Sequence, residues 1–222
     1  MQKRSVNSWI IAREGIPFIL FWTLPLLIGI FFDVYLLSIA GAAGGILTAL
    51  FFRNPPRHLP AGVTPSTVIS PADGKIVDVS EVIESRFLKK MMKKASIFMS
   101  VTDVHVNRSP VSGKIIDQIY SPGKFLMAQR HKSSVLNEQN AYCLEVDDEK
   151  RTAVVCVQIA GFIARRIVSY FGKGDSLTQG QMIGLIRFGS RVDIYLPLSA
   201  EIRVKKGDRV AGGETIIGEL AR

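Results

Sequence analysis

Cysteine is nearly missing from this chain: its 222 residues hold two, Cys143 and Cys156. Two are too few for a disulfide framework or a cysteine-ligated metal centre. Both sit in strand-like apolar runs, which suits buried free thiols. Histidine is almost as scarce, at three residues: His58, His105 and His131. Acidic residues are outnumbered, 19 Asp and Glu against 28 Lys and Arg, for a net charge of +9. That balance calls for an anionic partner. Nucleic acid is the poorer fit, because no binding motif is present and the basic stretches hold few aromatics.

Charge is missing altogether from one region. Residues 16–52 carry a single charged side chain, Asp33. A single helix of that length would run roughly 55 Å at about 1.5 Å per residue, against a bilayer core of about 30 Å. Two short spans, 16–32 and 34–52, joined near Asp33, are therefore expected. A shallow hairpin that does not fully cross is the alternative, since no glycine-rich turn marks the join. Pro17 and Pro25 are tolerable inside lipid-embedded helices. A secretory signal peptide is excluded, because the region is too long and Phe51-Phe52-Arg53 offers no small-residue cleavage site. Lys3, Arg4 and Arg13 precede the first span and Arg53 and Arg57 follow the second. The positive-inside rule then puts both ends in the cytoplasm, with residues 59–222 at the inner leaflet of the cell membrane beside anionic headgroups.

After Asn54-Pro55-Pro56 the pattern changes to short β-like runs between proline and glycine turns. Strands are expected at 75–82, 96–101, 141–146, 152–159, 184–188, 192–196 and 201–204. The clearest hairpin turns at Asp147-Asp148-Glu149-Lys150. Helix is expected only at 85–94 and 126–139. Two segments echo each other: Ser70-Pro71-Ala72-Asp73-Gly74-Lys75-Ile76 and Ser109-Pro110-Val111-Ser112-Gly113-Lys114-Ile115. The run from Val204 to Glu214, with its Gly-x-x-Val-x-x-Gly turn, is similar to the turns of lipoyl and biotinyl carrier domains. The fold expected is mainly β (α+β): a β-sandwich or barrel-like domain with lipoyl-like pseudo-repeats, behind an N-terminal hydrophobic helical hairpin.

The dipeptide Gly-Ser occurs once, at Gly189-Ser190, between two strand-like runs. Such a dipeptide ordinarily makes a tight turn. Glycine also admits backbone angles closed to other residues, so a strained peptide bond can be held there. A serine hydroxyl beside a distorted carbonyl can attack it, given a base and donors for the oxyanion. The resulting ester can eliminate, leaving a new C-terminus at Gly189 and dehydroalanine at 190, which hydrolyses to a pyruvoyl group.

Phe188-Gly189-Ser190, followed by an apolar strand and Pro197, resembles the self-cleavage motif of phosphatidylserine decarboxylases. The resemblance continues through Phe52-Arg53-Asn54-Pro55-Pro56-Arg57, the Asp-Gly motif at Ser70–Lys75, the histidine-bearing stretch 97–110, and Asn137-Glu138-Gln139-Asn140. The last departs from an Asn-Glu-Arg signature at Gln139. Length and paired hydrophobic segments are similar to the short, membrane-anchored branch of the family. The resemblance implies that Ser190 becomes a covalent pyruvoyl cofactor that condenses with the substrate amine. It implies cleavage into a β fragment, 1–189, and an α fragment, 190–222, from a membrane segment 1–58 and a decarboxylase domain 59–222. It implies that Asp73 helps orient the base and that His105 transfers protons. No metal is implied. Where the longer branch has a second histidine, this chain has Arg108, which leaves the base of self-cleavage open between His105 and another group. Read without the resemblance, His105 is equally a packed strand residue and Asp73 the third residue of a turn; His131 is a weaker candidate and His58 a structural one. The substrate implied is phosphatidylserine, decarboxylated to phosphatidylethanolamine and CO2. The rivals are a non-catalytic carrier or membrane adaptor and a pyruvoyl decarboxylase of a soluble amino acid. A homo-oligomer stays open.

Overall fold

The computed structural model describes residues 10–123, 137–161, 166–187 and 190–221. The chain divides into two compact units, Met1–Pro56 and Arg57–Arg222.

The first unit is a helical pair, α1 (Ile16–Phe31) and α2 (Tyr35–Phe51). Arg13–Phe31 is long and apolar enough to cross a membrane, by length and composition, and α2 is a shorter apolar helix. The turn between them falls at Asp33, whose φ of 57° lies in the left-handed region that a short polar side chain tolerates. The helices approach closely over small residues: a Cβ on Gly41 would sit 2.5 Å from the Leu26 nitrogen. Small residues at such crossings are how apolar helices pack without a hydrophobic driving force. The Ala12 N–H donates to the Phe52 carbonyl at 2.8 Å, closing the base of the pair.

The second unit is built from β1 (Thr67–Ile69), β2 (Gly74–Glu84), β3 (Lys90–Met99), β4 (Val106–Arg108), β5 (Gly113–Ser121), β6 (Gln139–Val146), β7 (Ala153–Ala160), β8 (Ile167–Ser169), β9 (Ser176–Leu177), β10 (Met182–Ile186), β11 (Ser190–Pro197), β12 (Glu201–Ile202), β13 (Arg209–Val210) and β14 (Ile216–Glu219). Among the described residues strand outweighs helix, 41% to 19%, so the mainly-β expectation holds. Among the described residues, a curled eight-stranded sheet runs in the order β13-β2-β3-β11-β7-β6-β5-β9. Two three-stranded sheets, β1-β14-β12 and β4-β10-β8, accompany it.

Strand β11 is central. It pairs antiparallel with β3 on one side and β7 on the other. Pleating sends alternate residues to opposite faces. Val192, Ile194 and Leu196 join the larger core, together with Ala95, Ile97 and Met99 of β3 and Cys156 and Ala160 of β7. Tyr195, Val155, Val157, Ile159 and Cys143 pack on the other face. The two cysteines are buried free thiols on opposite faces.

The echoed segments are pseudo-equivalent in space. Ser70 Oγ donates to the Ala72 carbonyl and Ser109 Oγ to that of Val111, each at 2.7 Å. Gly74 and Gly113 each open a strand against a partner's carbonyl, Phe98 O and Glu145 O, where a Cβ would collide. The Ile76 N–H donates to Asp208 O and the Ile115 N–H to Asp175 O, both at 2.9 Å. Lys173-Gly174-Asp175 thereby mirrors Lys206-Gly207-Asp208, a correspondence not anticipated from the sequence.

The expected helix at 85–94 is a correction. Residues 85–88 form a turn and β3 starts at Lys90. The buried Glu84 carboxylate accepts the N–H groups of Arg86, Phe87 and Leu88 at 2.8–2.9 Å, which ties the β2–β3 hairpin and overrides local helix propensity. The helix expected at 126–139 falls mostly outside the described residues, and Gln139 opens β6 rather than ending a helix. Strand β5 was not anticipated, because a bulge between Ile115 and Asp117 breaks its alternation.

Candidate active site

Ser190 is the first residue of β11, in register with Met99 on β3 and Ala160 on β7. Two-residue alternation puts it on the same face as Val192, toward the larger core, and it is fully buried. Its hydroxyl lies 3.2 Å from the Met99 sulfur. A thioether is a weak acceptor, so the hydroxyl is only lightly held. Gly189 and His131 lie outside the described residues.

His105 immediately precedes β4 and is 1% exposed. Its carbonyl accepts from the Ile186 N–H at 3.3 Å, at the end of β10, the strand that leads toward Ser190. Its Nδ1 lies 3.0 Å from the Asp103 carbonyl oxygen. A carbonyl can only accept, so Nδ1 carries the hydrogen and Nε2 the lone pair of the neutral ring. Asp103 is itself fixed, by the Ser100 N–H at 2.8 Å and by Arg209 at 2.9 Å.

Asp73 belongs to a different cluster. Its carboxylate accepts from Arg57 Nη2 and from the Gly212 N–H, each at 2.7 Å. Arg57 also reaches Glu214 at 2.8 Å. Burial pulls the Arg57 guanidinium down, but Asp73 and Glu214 outweigh it and hold it above its ordinary value. Arg108 stands beside this group, and burial, reinforced by Arg57, pushes it down. The link to His105 runs through backbone: the Arg108 N–H donates to the Pro71 carbonyl at 2.9 Å, tying the Asp73 turn to β4.

The Asn137–Asn140 run supports the strand next to Ser190. Asn137 Nδ2 donates to the Ala160 carbonyl at 2.6 Å, and the Ala160 N–H donates to the Glu138 carbonyl at 2.9 Å. Glu138 Oε1 takes the Tyr120 hydroxyl at 2.9 Å, and Gln139 Oε1 takes Arg86 at 2.5 Å.

Sequence reasoning missed a row of amides, half-buried at Gln118 and buried from Asn140 onward, that ends at the same sulfur as Ser190. Gln118 Nε2 donates to Asn140 Oδ1 at 2.8 Å, Asn140 Nδ2 to Gln158 Oε1 at 3.0 Å, and Gln158 Nε2 to Asn107 Oδ1 at 2.8 Å. Asn107 Nδ2 then points at Met99 Sδ, 3.6 Å away. The available signal was Gln158 in Ala-Val-Val-Cys-Val-Gln-Ile-Ala: a polar residue at a core-facing position of a buried strand has to be satisfied by something.

Other nucleophiles are disfavoured. Burial, with help from Glu84, pushes the Cys143 thiol up to about 11. Burial, with help from Asp193, pushes Cys156 up to about 12. Both therefore stay thiols at neutral pH and are inert. Lys75 and Lys114, the residues a carrier would modify, lie within β2 and β5 rather than at turn tips.

The family model described as phosphatidylserine decarboxylase matches residues 45–218. A phosphatidylserine decarboxylase proenzyme of Syntrophotalea carbinolica is 47% identical over 212 residues, covering 95% of this chain and 96% of the relative. One of Syntrophus aciditrophicus is 42% identical over 94% of this chain and 96% of the relative. One of Citrifermentans bemidjiense is 48% identical over 79% of this chain and 78% of the relative. With fold, buried serine and histidine in hand, and with similarity running nearly end to end, the chain belongs to the phosphatidylserine decarboxylase family.

Proposed function

We propose that the chain cleaves itself between Gly189 and Ser190, converts Ser190 to a pyruvoyl group, and decarboxylates phosphatidylserine to phosphatidylethanolamine. The reading is carried by Ser190, a fully buried serine at the head of a central strand with a thioether as its hydrogen-bond partner. The relatives' name, proenzyme, supports a processed chain.

His105 Nε2 acts as the base. Ser190 Oγ adds to the Gly189 carbonyl carbon as its proton passes to His105. The peptide C–N bond breaks, the nitrogen takes the proton, and an ester remains. Loss of the Cα proton of residue 190 expels the Gly189 carboxylate and ends the β fragment at 189. The enamine left behind tautomerises to an imine, water adds, and ammonia leaves. Position 190 fits the product, because strand pairing to Met99 and Ala160 holds its backbone on both sides after the cut. The pyruvoyl group supplies an electrophilic ketone and an electron sink beside an amide. The chain's part in decarboxylation is to keep water away and to return a proton, from His105, to the substrate's α-carbon. Asp73 is a positioning residue, acting through Arg57 and the turn tied to β4.

Residues 1–58 form the membrane segment in this reading and 59–222 the catalytic domain, on the cytoplasmic side of the cell membrane. The apolar helix Arg13–Phe31 and the net charge of +9 support attachment to an anionic lipid surface. The test is substrate choice. Carboxyl-labelled phosphatidylserine in vesicles is expected to release labelled CO2, and free serine is not. Comparable kcat/KM on free serine would favour the soluble amino-acid reading instead.

A further inference from the structure

The amide row Gln118–Asn140–Gln158–Asn107 is costly to bury unless it does something. Asn107, Asn140 and Gln158 are each at most 1% exposed, and Gln158 lies in a strand whose other residues are all Ala, Val, Ile or Cys. Apolar side chains there would satisfy the core without any polar matching. The row also has a direction, set at its outer end. Ser169 Oγ donates to the Phe171 carbonyl at 2.8 Å, so toward Gln118 it can only accept, and it takes Nε2 at 3.4 Å. With the Gln118 amide nitrogen turned that way and toward Asn140, each later amide accepts from the one before and donates to the next. Such aligned bonds polarise one another, and the gain accumulates on the last donor.

That last donor is Asn107 Nδ2, and among the described residues its acceptor is the Met99 sulfur. A polarised amide aimed at a weak acceptor is poorly matched in the resting chain. Ser190 Oγ meets the same sulfur atom. We propose that Asn107 donates to the negative charge that develops beside Ser190 Oγ during self-cleavage, and that Gln158, Asn140 and Gln118 are positioning residues that hold its amide in that orientation. The inference rests on the self-cleavage reading above. It adds no bond-making step: Asn107 keeps its protons, and its N–H exchanges a poor acceptor for an oxyanion as the acyl shift proceeds. Donors arranged in advance for such charge are the usual source of large rate effects.

The test follows the full chain made by cell-free translation into vesicles of phosphatidylglycerol and phosphatidylethanolamine, with the two fragments resolved against time. Asn107→Leu is expected to slow their appearance by about 10²–10³-fold, as for loss of an oxyanion donor, while its thermal transition stays cooperative. Gln158→Met, which leaves Asn107 in place but frees its amide, is expected to slow cleavage by about tenfold. Met99→Leu, which keeps volume and removes only the resting acceptor, is expected to cleave within about threefold of wild type. The uncut Asn107→Leu chain should resist hydroxylamine, as an amide does, because the acyl shift is the step lost. Wild-type cleavage in Gln158→Met or Asn107→Leu would overturn the proposal. So would a hydroxylamine-sensitive ester in Asn107→Leu, or a Met99→Leu defect as large as that of Asn107→Leu. If the wild-type chain itself stays whole, the self-cleavage reading fails instead.

Discussion

Ser190→Ala is expected to accumulate as one uncut chain with no decarboxylase activity. The substitution removes one oxygen, and the hydrogen bond lost is to a sulfur. Its cost to stability should therefore stay within about 1 kcal/mol. The strand pairing of β11 with β3 and β7 involves backbone and is untouched. Loss of function in a chain that folds this well isolates the hydroxyl as the reacting group, since nothing else at position 190 has changed. Denaturing electrophoresis reads the cut and a labelled-CO2 assay reads the activity. Retention of either would remove Ser190 from the role given to it.

The second large effect is expected at His105. Replacing it by glutamine keeps a polar side chain in the same buried site but removes the titratable ring. General acid–base groups typically contribute 10²–10⁴-fold, and both fragment formation and CO2 release should fall within that range. The reasoning rests on one hydrogen bond: Nδ1 given to the Asp103 carbonyl leaves Nε2 as the basic nitrogen. Normal cleavage with impaired CO2 release would confine His105 to decarboxylation. Normal rates in both would take it out of the mechanism. Asp73 is not expected to mimic this behaviour, because its hydrogen bonds go to Arg57 and the Gly212 N–H.

How legible the fold was depended on whether its cause was local. The hairpin of β6 and β7 was readable because two largely apolar runs flank a turn where Asp148 Oδ1 accepts the Thr152 N–H at 2.8 Å. The helical pair was readable from the near absence of charge over 16–52. The 85–94 segment misled because Lys and Met favour helix, while what decides it is Glu84, whose carboxylate caps the turn from outside the window. Short strands such as β4, β9 and β13 have no pattern of their own and exist through their partners.

The site shows the same division. Ser190 and His105 stand out in the sequence because each carries chemistry in its side chain and stands in a distinctive motif. Asn107 stood inside the His105 stretch, yet its amide had no meaning until Gln158 from β7, Asn140 from β6 and Gln118 from β5 were brought beside it. That gathering depends on strand order and on a second sheet crossing the first, which no window of sequence contains.

One measurement bears most directly on all of this: the intact mass of the purified, active protein. Two species are expected, residues 1–189 with an ordinary C-terminus and residues 190–222 beginning in a ketone rather than an amine. A single 222-residue mass from fully active protein would contradict the account.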